Sequence, residues 1–502
     1  MKLALKLAAR TAQSVLRAAR DQVDADRMLQ RSMSAVIDIA EQRHEVSPAP
    51  NWRPGEPLKM LLAGYAGTRN TGADVRVEEM IRQFRHLFSD DHLNLSIFTL
   101  DLALTRGYFK AVQQVEMPKI FPQFLYKTIH EQHGVIACEG SMFKSKFANA
   151  LSTMMVGAIG LALVEGKVAV GYGGEAGKMD PSLEALVRKH CQGALIIARN
   201  EESCQIMERL GVAAKSGTDT AWTFDPADPR VGADILRRAG WDGKQKVLAI
   251  APINPFWWPV KPDMVKGVLH KLTGMYETSH YDSIYFHNWG PEVERKQKAY
   301  IEDIAKAVRR FRMEHDVFIT LIGMEQLDRR ACEQLDAELG GGYPIFVSDR
   351  HDMYTMISIL RQSSMLVASR YHACVCSMAG GVVSGGVTMD ERIANLMAER
   401  GQPYLRLNTT DDNLDDRLYT MLLRMHAEAD EIRDGIYKSV TRNLYRMGEM
   451  GRTLVDHVQK KHPEFPFKKT FGGDNDPWTH LPPLPPLVEG IISRYASQVE
   501  VG

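Results

Sequence analysis

The chain has 502 residues, 44% hydrophobic and 25% charged, the make-up of an ordinary globular protein too long for a single domain. Lys plus Arg and Asp plus Glu total 62 each, so global charge argues neither for nucleic acid nor for a bulk anionic surface. Six cysteines, at 138, 191, 204, 332, 374 and 376, include no Cys-x-x-Cys pair and lie in apolar surroundings, which reads as reduced, buried thiols in a cytoplasmic protein.

Residues 1–20 carry Lys2, Lys6, Arg10, Arg17 and Arg20 and no acid, interleaved with Leu3, Leu5, Leu7, Val15 and Leu16. This pattern predicts a basic amphipathic helix. Either it lies on an anionic membrane surface, placing the protein at the inner face of the membrane, or it packs on the body or a second subunit. Lys6 and Arg10 break the apolar run, which argues against a signal peptide. Residues 1–45 form this N-terminal helical segment, and Ser47-Pro48-Ala49-Pro50 with Pro54-Gly55-Glu56-Pro57 makes a linker.

A first Rossmann-like domain is expected over 58–228. Its strands are Lys59 to Ala63, Asn94 to Leu100, Gly134 to Cys138, Lys167 to Gly171 and Ala194 to Ala198. Helices fall between them at Val75 to Leu87, Phe147 to Leu163 and Pro181 to Cys191. The longest apolar stretch, Met154 to Val170, is broken by Glu165, Gly166 and Lys167, so it reads as a buried helix then a strand, not a membrane span.

The pattern restarts after Asp225-Pro226-Ala227-Asp228-Pro229. A second Rossmann-like domain over 245–400 has predicted strands Lys246 to Ala251, Tyr281 to His287, Val317 to Ile322, Pro344 to Val347 and Met365 to Ala368. Two α/β halves of this kind predict two parallel sheets facing a cleft. Residues 411–461 read as polar, Arg-rich helices, and the Pro-rich tail 462–502 as an extended segment laid over the body. Beyond the doubled architecture there is no internal repeat.

Ligands bind such sheets at the carboxyl ends of strands. Two segments there carry chemistry. After the first strand, Gly64-Tyr65-Ala66-Gly67-Thr68-Arg69-Asn70-Thr71-Gly72-Ala73-Asp74 lets backbone amides approach a ligand, with Arg69 and Arg76 adding charge. It has neither the dinucleotide Gly-x-Gly-x-x-Gly spacing nor a P-loop lysine. Late in the chain, Ser369-Arg370-Tyr371-His372-Ala373 puts a guanidinium and an imidazole where a strand gives way to a helix, a natural anion site.

Together the two segments resemble the polysaccharide pyruvyl transferase family. Arg199-Asn200-Glu201-Glu202-Ser203, Asp219-Thr220-Ala221 and Gly386-Val387-Thr388-Met389-Asp390-Glu391-Arg392-Ile393 are similar to further family segments, in the same order. The resemblance runs over roughly 58–400. Departures are Ala73 and Asn200 where the family usually has Asp, Val383 for Pro, Arg392 for Lys, and few glycines in Cys138-Glu139-Gly140-Ser141. It implies a two-domain, glycosyltransferase-B-like fold and transfer of pyruvate from phosphoenolpyruvate onto a sugar or lipid-linked saccharide as a ketal, with no metal and no organic cofactor.

On this reading His372 delivers the proton that activates the enol ether, and Arg370 and Arg199 hold phosphate and carboxylate. Tyr65, Gly67, Arg69, Asn70 and Gly72 line the cleft as substrate-binding residues. In Asn254-Pro255-Phe256-Trp257-Trp258-Pro259, Trp257 and Trp258 either stack on a sugar, line a lipid-linked acceptor, or pack between the domains. His287 and Glu325 also end strands in this half. Two rival readings stay open at this stage: a nucleotide-sugar glycosyltransferase of the same fold, and a non-catalytic scaffold held to a membrane by its basic helix. Acceptor sugar, ketal stereochemistry and oligomeric state, an oligomer included, are left open.

Overall fold

The computed structural model describes residues 25–273, 276–282, 284–467 and 476–499. The basic segment 1–20 lies outside the described residues.

The first sheet comprises β1 (Leu58–Ala66), β2 (Leu93–Thr99), β3 (Gln113–Glu116), β4 (Gly134–Ala137), β5 (Val168–Gly174), β6 (Leu195–Ala198) and β7 (Ala214–Ser216). All pairings are parallel, in the order β3-β2-β1-β4-β5-β6-β7. The central strands are buried on both faces, which is why they are continuous apolar runs: every residue of β4 and β5 is buried. Helix Ala25–Val46 packs on helix Asn149–Val164 on one face of this sheet. Glycines permit the approach, since a Cβ on Gly157 would lie 2.5 Å from Met33 Sδ.

The second sheet opens with β8 (Lys246–Ala251). A small antiparallel insertion follows, formed by β9 (Lys261–Pro262), β10 (His280–Asp282) and β11 (Tyr285–Phe286). The remaining strands are β12 (Val317–Gly323), β13 (Ile345–Val347), β14 (Met365–Ala368), β15 (Val383–Thr388) and β16 (Arg406–Asn408). Their order is β13-β12-β8-β14-β15-β16, again parallel throughout.

The expected strand Tyr281 to His287 is corrected by this topology. It is split into β10 and β11, outside the parallel sheet, where β11 pairs with β9. β7, β15 and β16 were not predicted, and neither was β3, whose sequence Gln-Gln-Val-Glu has none of the apolar run of a central strand because it is an edge.

Strand order reverses between β1 and β4 in the first sheet and between β8 and β14 in the second. The loops beyond those carboxyl ends face one another and make the cleft. Helix Ala429–Lys461 ties the halves together: Thr218 Oγ1 donates to Asn443 Oδ1 on the first-sheet side. On the second-sheet side, Gln402 Nε2 donates to the Ile432 carbonyl at 2.9 Å. The tail is not extended throughout, since Pro486–Tyr495 is a helix that packs on Ala429–Lys461 with Val488 and Ile491 buried. Among the described residues no helix is long and apolar enough to cross a membrane.

Candidate functional site between the two sheets

The loop after β1 turns at Gly67, whose φ is +89° and whose Cβ, if present, would lie 2.5 Å from Thr99 Oγ1 and 2.7 Å from the Asp101 amide. Only glycine fits there. Asn70 then caps helix Thr71–Phe88, its Oδ1 accepting from the Ala73 amide at 3.2 Å. The Thr71 amide donates across the cleft to the Met324 carbonyl at 2.8 Å. These first-turn donors are therefore committed to the fold and to the other domain. Arg69 turns away from the cleft: its Nη1 donates to the Tyr108 hydroxyl at 2.6 Å, with the guanidinium 4.7 Å above that ring.

Arg370 follows β14 and meets two carboxylates that follow β12. Its Nε donates to Asp328 Oδ2 at 2.9 Å, and its Nη2 to Glu325 Oε2 at 2.8 Å. Asn70 Nδ2 reaches the same Glu325 oxygen at 3.3 Å from the first domain, and the Tyr65 hydroxyl lies 3.5 Å from Glu325 Oε1. Burial pushes Glu325 up to about 7, against the pull of Arg370 and with help from Asp328. Asp328 is raised as well, by burial, with Arg370 opposing. One guanidinium between two buried carboxyls leaves a proton on the pair near neutral pH.

His372 lies two residues further on, against Gly72. A Cβ on Gly72 would overlap the His372 ring, so the glycine in the first-domain loop is explained by an imidazole from the second. His372 Nε2 is 3.1 Å from Asp219 Oδ2. The same Asp219 oxygen lies 3.1 Å from Arg76 Nε and accepts from Arg199 Nη1 at 3.1 Å. Burial works to raise Asp219, but Arg76, His372 and Arg199 hold it far below the carboxylate range. Burial also pushes His372 below its ordinary value, against the attraction of Asp219.

Arg199 is 5% exposed, stacks 4.6 Å over the Tyr371 ring and donates to the Gly140 carbonyl at 2.8 Å. Glu175 continues the network, paired with Lys144 at 2.6 Å and accepting from Asn200 Nδ2 at 3.2 Å. Asn200 also caps helix Glu201–Arg209 through its Oδ1, 2.9 Å from the Ser203 amide. An Asp at 200 would cap equally well and lose the bond to Glu175, which rationalises that departure.

A cleft of about 550 Å³ lies over these groups. Of the residues singled out in the sequence, Tyr65, Gly67, Asn70, Trp258, Glu325 and Arg370 line it. His372, Arg199 and Gly72 lie behind it at the domain junction. Trp257 is 7% exposed and packs 4.6 Å from His287, so for this residue the packing alternative holds, whereas Trp258 faces the cleft beside Phe147.

The cleft also brings in Glu139, Ser141 and Arg392, and the junction brings in Asp219, Lys144 and Glu175. Glu325 carried a signal, a charge directly after a strand that ends in Gly323-Met324. Asp219 carried one as well, inside the Asp-x-Ala match. Nothing local marks Lys144 or Glu175, which acquire roles only through each other.

A family model described as polysaccharide pyruvyl transferase matches residues 167–391. That span holds Arg199, Asp219, Glu325, Arg370 and His372 and leaves out the Gly64–Gly72 loop, which the fold brings against it. No curated protein matches the chain. Among solved structures, Anabaena HepE in complex with UDP-glucose superposes with a TM-score of 0.50 at 11% identity, covering 80% of this chain and all 100% of that one. S. aureus MnaA, solved with UDP, gives a TM-score of 0.46 at 12% identity over 76% of this chain and 90% of that one. The HepE likeness agrees with the sheet topology. Residues 167–391 therefore match the polysaccharide pyruvyl transferase family model, and they sit on a two-domain, glycosyltransferase-B-like fold.

Proposed function

We propose that the cleft moves pyruvate from phosphoenolpyruvate onto two hydroxyls of a saccharide, forming a ketal and releasing inorganic phosphate. The observation that carries this reading is the meeting of two family segments more than 150 residues apart: His372 reaches Asp219 at 3.1 Å while Arg199 stacks 4.6 Å over Tyr371.

Arg370 leaves Nη1 outside its bonds to Asp328 and Glu325, and with Arg392 it forms the cationic edge for the donor's phosphate and carboxylate. The sequence gives proton delivery to His372. The surroundings favour Glu325, which faces the cleft and holds a proton near pH 7, whereas burial disfavours the imidazolium. Glu325 protonates the methylene carbon, and C2 becomes electrophilic. The first acceptor oxygen adds to C2 and its proton passes to a phosphate oxygen, while His372, oriented by Asp219, holds the junction behind the cleft. The C–O bond to phosphate breaks, and the phosphate leaves with that proton. The second oxygen closes the ketal and returns its proton to Glu325. Arg199 and Gly72 position His372, Arg69 sets the loop, and Tyr65, Gly67, Asn70 and Trp258 shape the acceptor side, with Trp257 packed behind on His287.

The acceptor is a sugar or a lipid-linked saccharide, for which Leu104, Leu151, Met154 and Val260 supply an aliphatic wall. Peripheral contact of residues 1–20 with the inner face of a membrane belongs to the same proposal. Vesicle co-sedimentation of the full chain beside one lacking residues 1–24 tests it.

For the reaction, phosphate release from phosphoenolpyruvate is followed with a panel of sugar glycosides. Release that needs both partners, with pyruvate found as a ketal on the sugar, is the expected result. Consumption of a nucleotide sugar in its place would establish the glycosyltransferase instead.

A further inference from the structure

Two depressions continue from the cleft along the second domain. One, of about 480 Å³, shares Trp258 with the cleft and is lined by Lys146, Phe256, Asn288, Trp289 and Lys296. The next, of about 340 Å³, shares Trp289 and runs between helices Pro291–Glu314 and Arg329–Leu339. Tryptophan and amide side chains alternate along this line: Trp258, Asn288, Trp289, Asn254, Gln297 and Gln334.

Gln297 makes the far depression a built site. It is 3% exposed, and its Nε2 is shared between the Ile253 carbonyl at 3.3 Å and Gln334 Oε1 at 3.2 Å. That fixes the amide while its Oε1, buried at the cavity wall, has no hydrogen-bond partner among the described residues. A buried acceptor without a partner is costly, and a hydroxyl donor from a ligand removes the cost. Beside it Trp289 is held by the Arg330 guanidinium 4.7 Å from its ring centroid. Rigid aromatic surface with convergent amides and a few charges suits the mixed apolar and hydroxylated faces of sugar rings.

We infer that these depressions form a track for the sugar units of the acceptor beyond the one that is modified, read by Trp289 and Gln297. The inference rests on the pyruvyl transfer proposed above, because it assigns the chain's reacting end to that cleft. The track takes neutral or hydroxyl-rich units at Gln297, since Lys296 and Lys298 are paired with Glu292 and Glu302, and Glu294 and Glu338 share the wall.

The full chain is applied to an array of glycans from one to eight sugars, and hits are titrated by calorimetry. Affinity should rise at least tenfold between one and four sugars. Trp289→Ala and Gln297→Met should each return the longer glycan to within about threefold of the single sugar, with melting temperature and phosphoenolpyruvate binding unchanged. No length dependence, no binding anywhere on the array, or length dependence that survives both substitutions overturns the track. Phosphoenolpyruvate is titrated in the same samples. Its failure to bind, with the track intact, would count against pyruvyl transfer alone.

Discussion

At the scale of the residue, the surroundings of two titratable groups set them apart. Burial lifts Glu325 to about 7 and pushes His372 below its ordinary value, and of the two only Glu325 faces the cleft, where it is suited to give a proton. The protonated form of Glu325 is the working acid, so kcat should be level below pH 7 and fall above it. Glu325→Gln should lower kcat by about a hundredfold or more and keep phosphoenolpyruvate binding. A Gln variant of normal turnover, or a rate that climbs through pH 8, would remove Glu325 from the mechanism. Arg370 and His372 were legible because an Arg-x-His at a strand end is a recognisable pattern. The pairings were not, since Asp328 and Glu325 reach Arg370 from 42 and 45 residues away, and Asp219 reaches His372 from 153.

Among the elements, helix Thr71–Phe88 shows how one position can answer to two demands. Helix propensity alone favours Ala over Gly at position 72 by about 1 kcal/mol. The His372 ring occupies the space of that Cβ, and overpacking costs about 1–3 kcal/mol. The second effect wins, so Gly72→Ala should lower the urea midpoint, and adding His372→Ala should recover most of the loss. A single variant as stable as the parent would mean that the ring and helix are not packed as described. Strands such as Lys246–Ala251 and Met365–Ala368 were readable because burial on both faces demands unbroken apolar runs. Residues 281–287 misled for the same reason: Tyr281, Tyr285 and Phe286 are apolar enough for a strand, and their antiparallel pairing is decided by Lys261 and Pro262 across the insertion.

Over the whole molecule, the two sheets are joined less by the linker than by side chains that cross the junction and by the C-terminal helices. Gln83, buried on the first domain, donates to the carbonyls of Met447 and His480, both at 3.0 Å. Gly448 lets the Pro477 backbone approach so closely that no side chain fits between them. Removing residues 476–502 should therefore lower the melting temperature and speed proteolysis of helix Ala429–Lys461, while phosphoenolpyruvate still binds, because none of those residues lines the cleft. An unchanged melting curve would show the tail to be dispensable to the domain junction. That the last helices return to the first domain was beyond a reading of local pattern, since polar Arg-rich helices give no sign of which surface they cover.

The most direct test of the account is a calorimetric titration of the protein with phosphoenolpyruvate, repeated with UDP present and with Arg370→Ala. The account predicts saturable binding, indifferent to UDP and weakened at least tenfold by the substitution. Binding of UDP that displaces phosphoenolpyruvate, or no phosphoenolpyruvate binding at all, would contradict it.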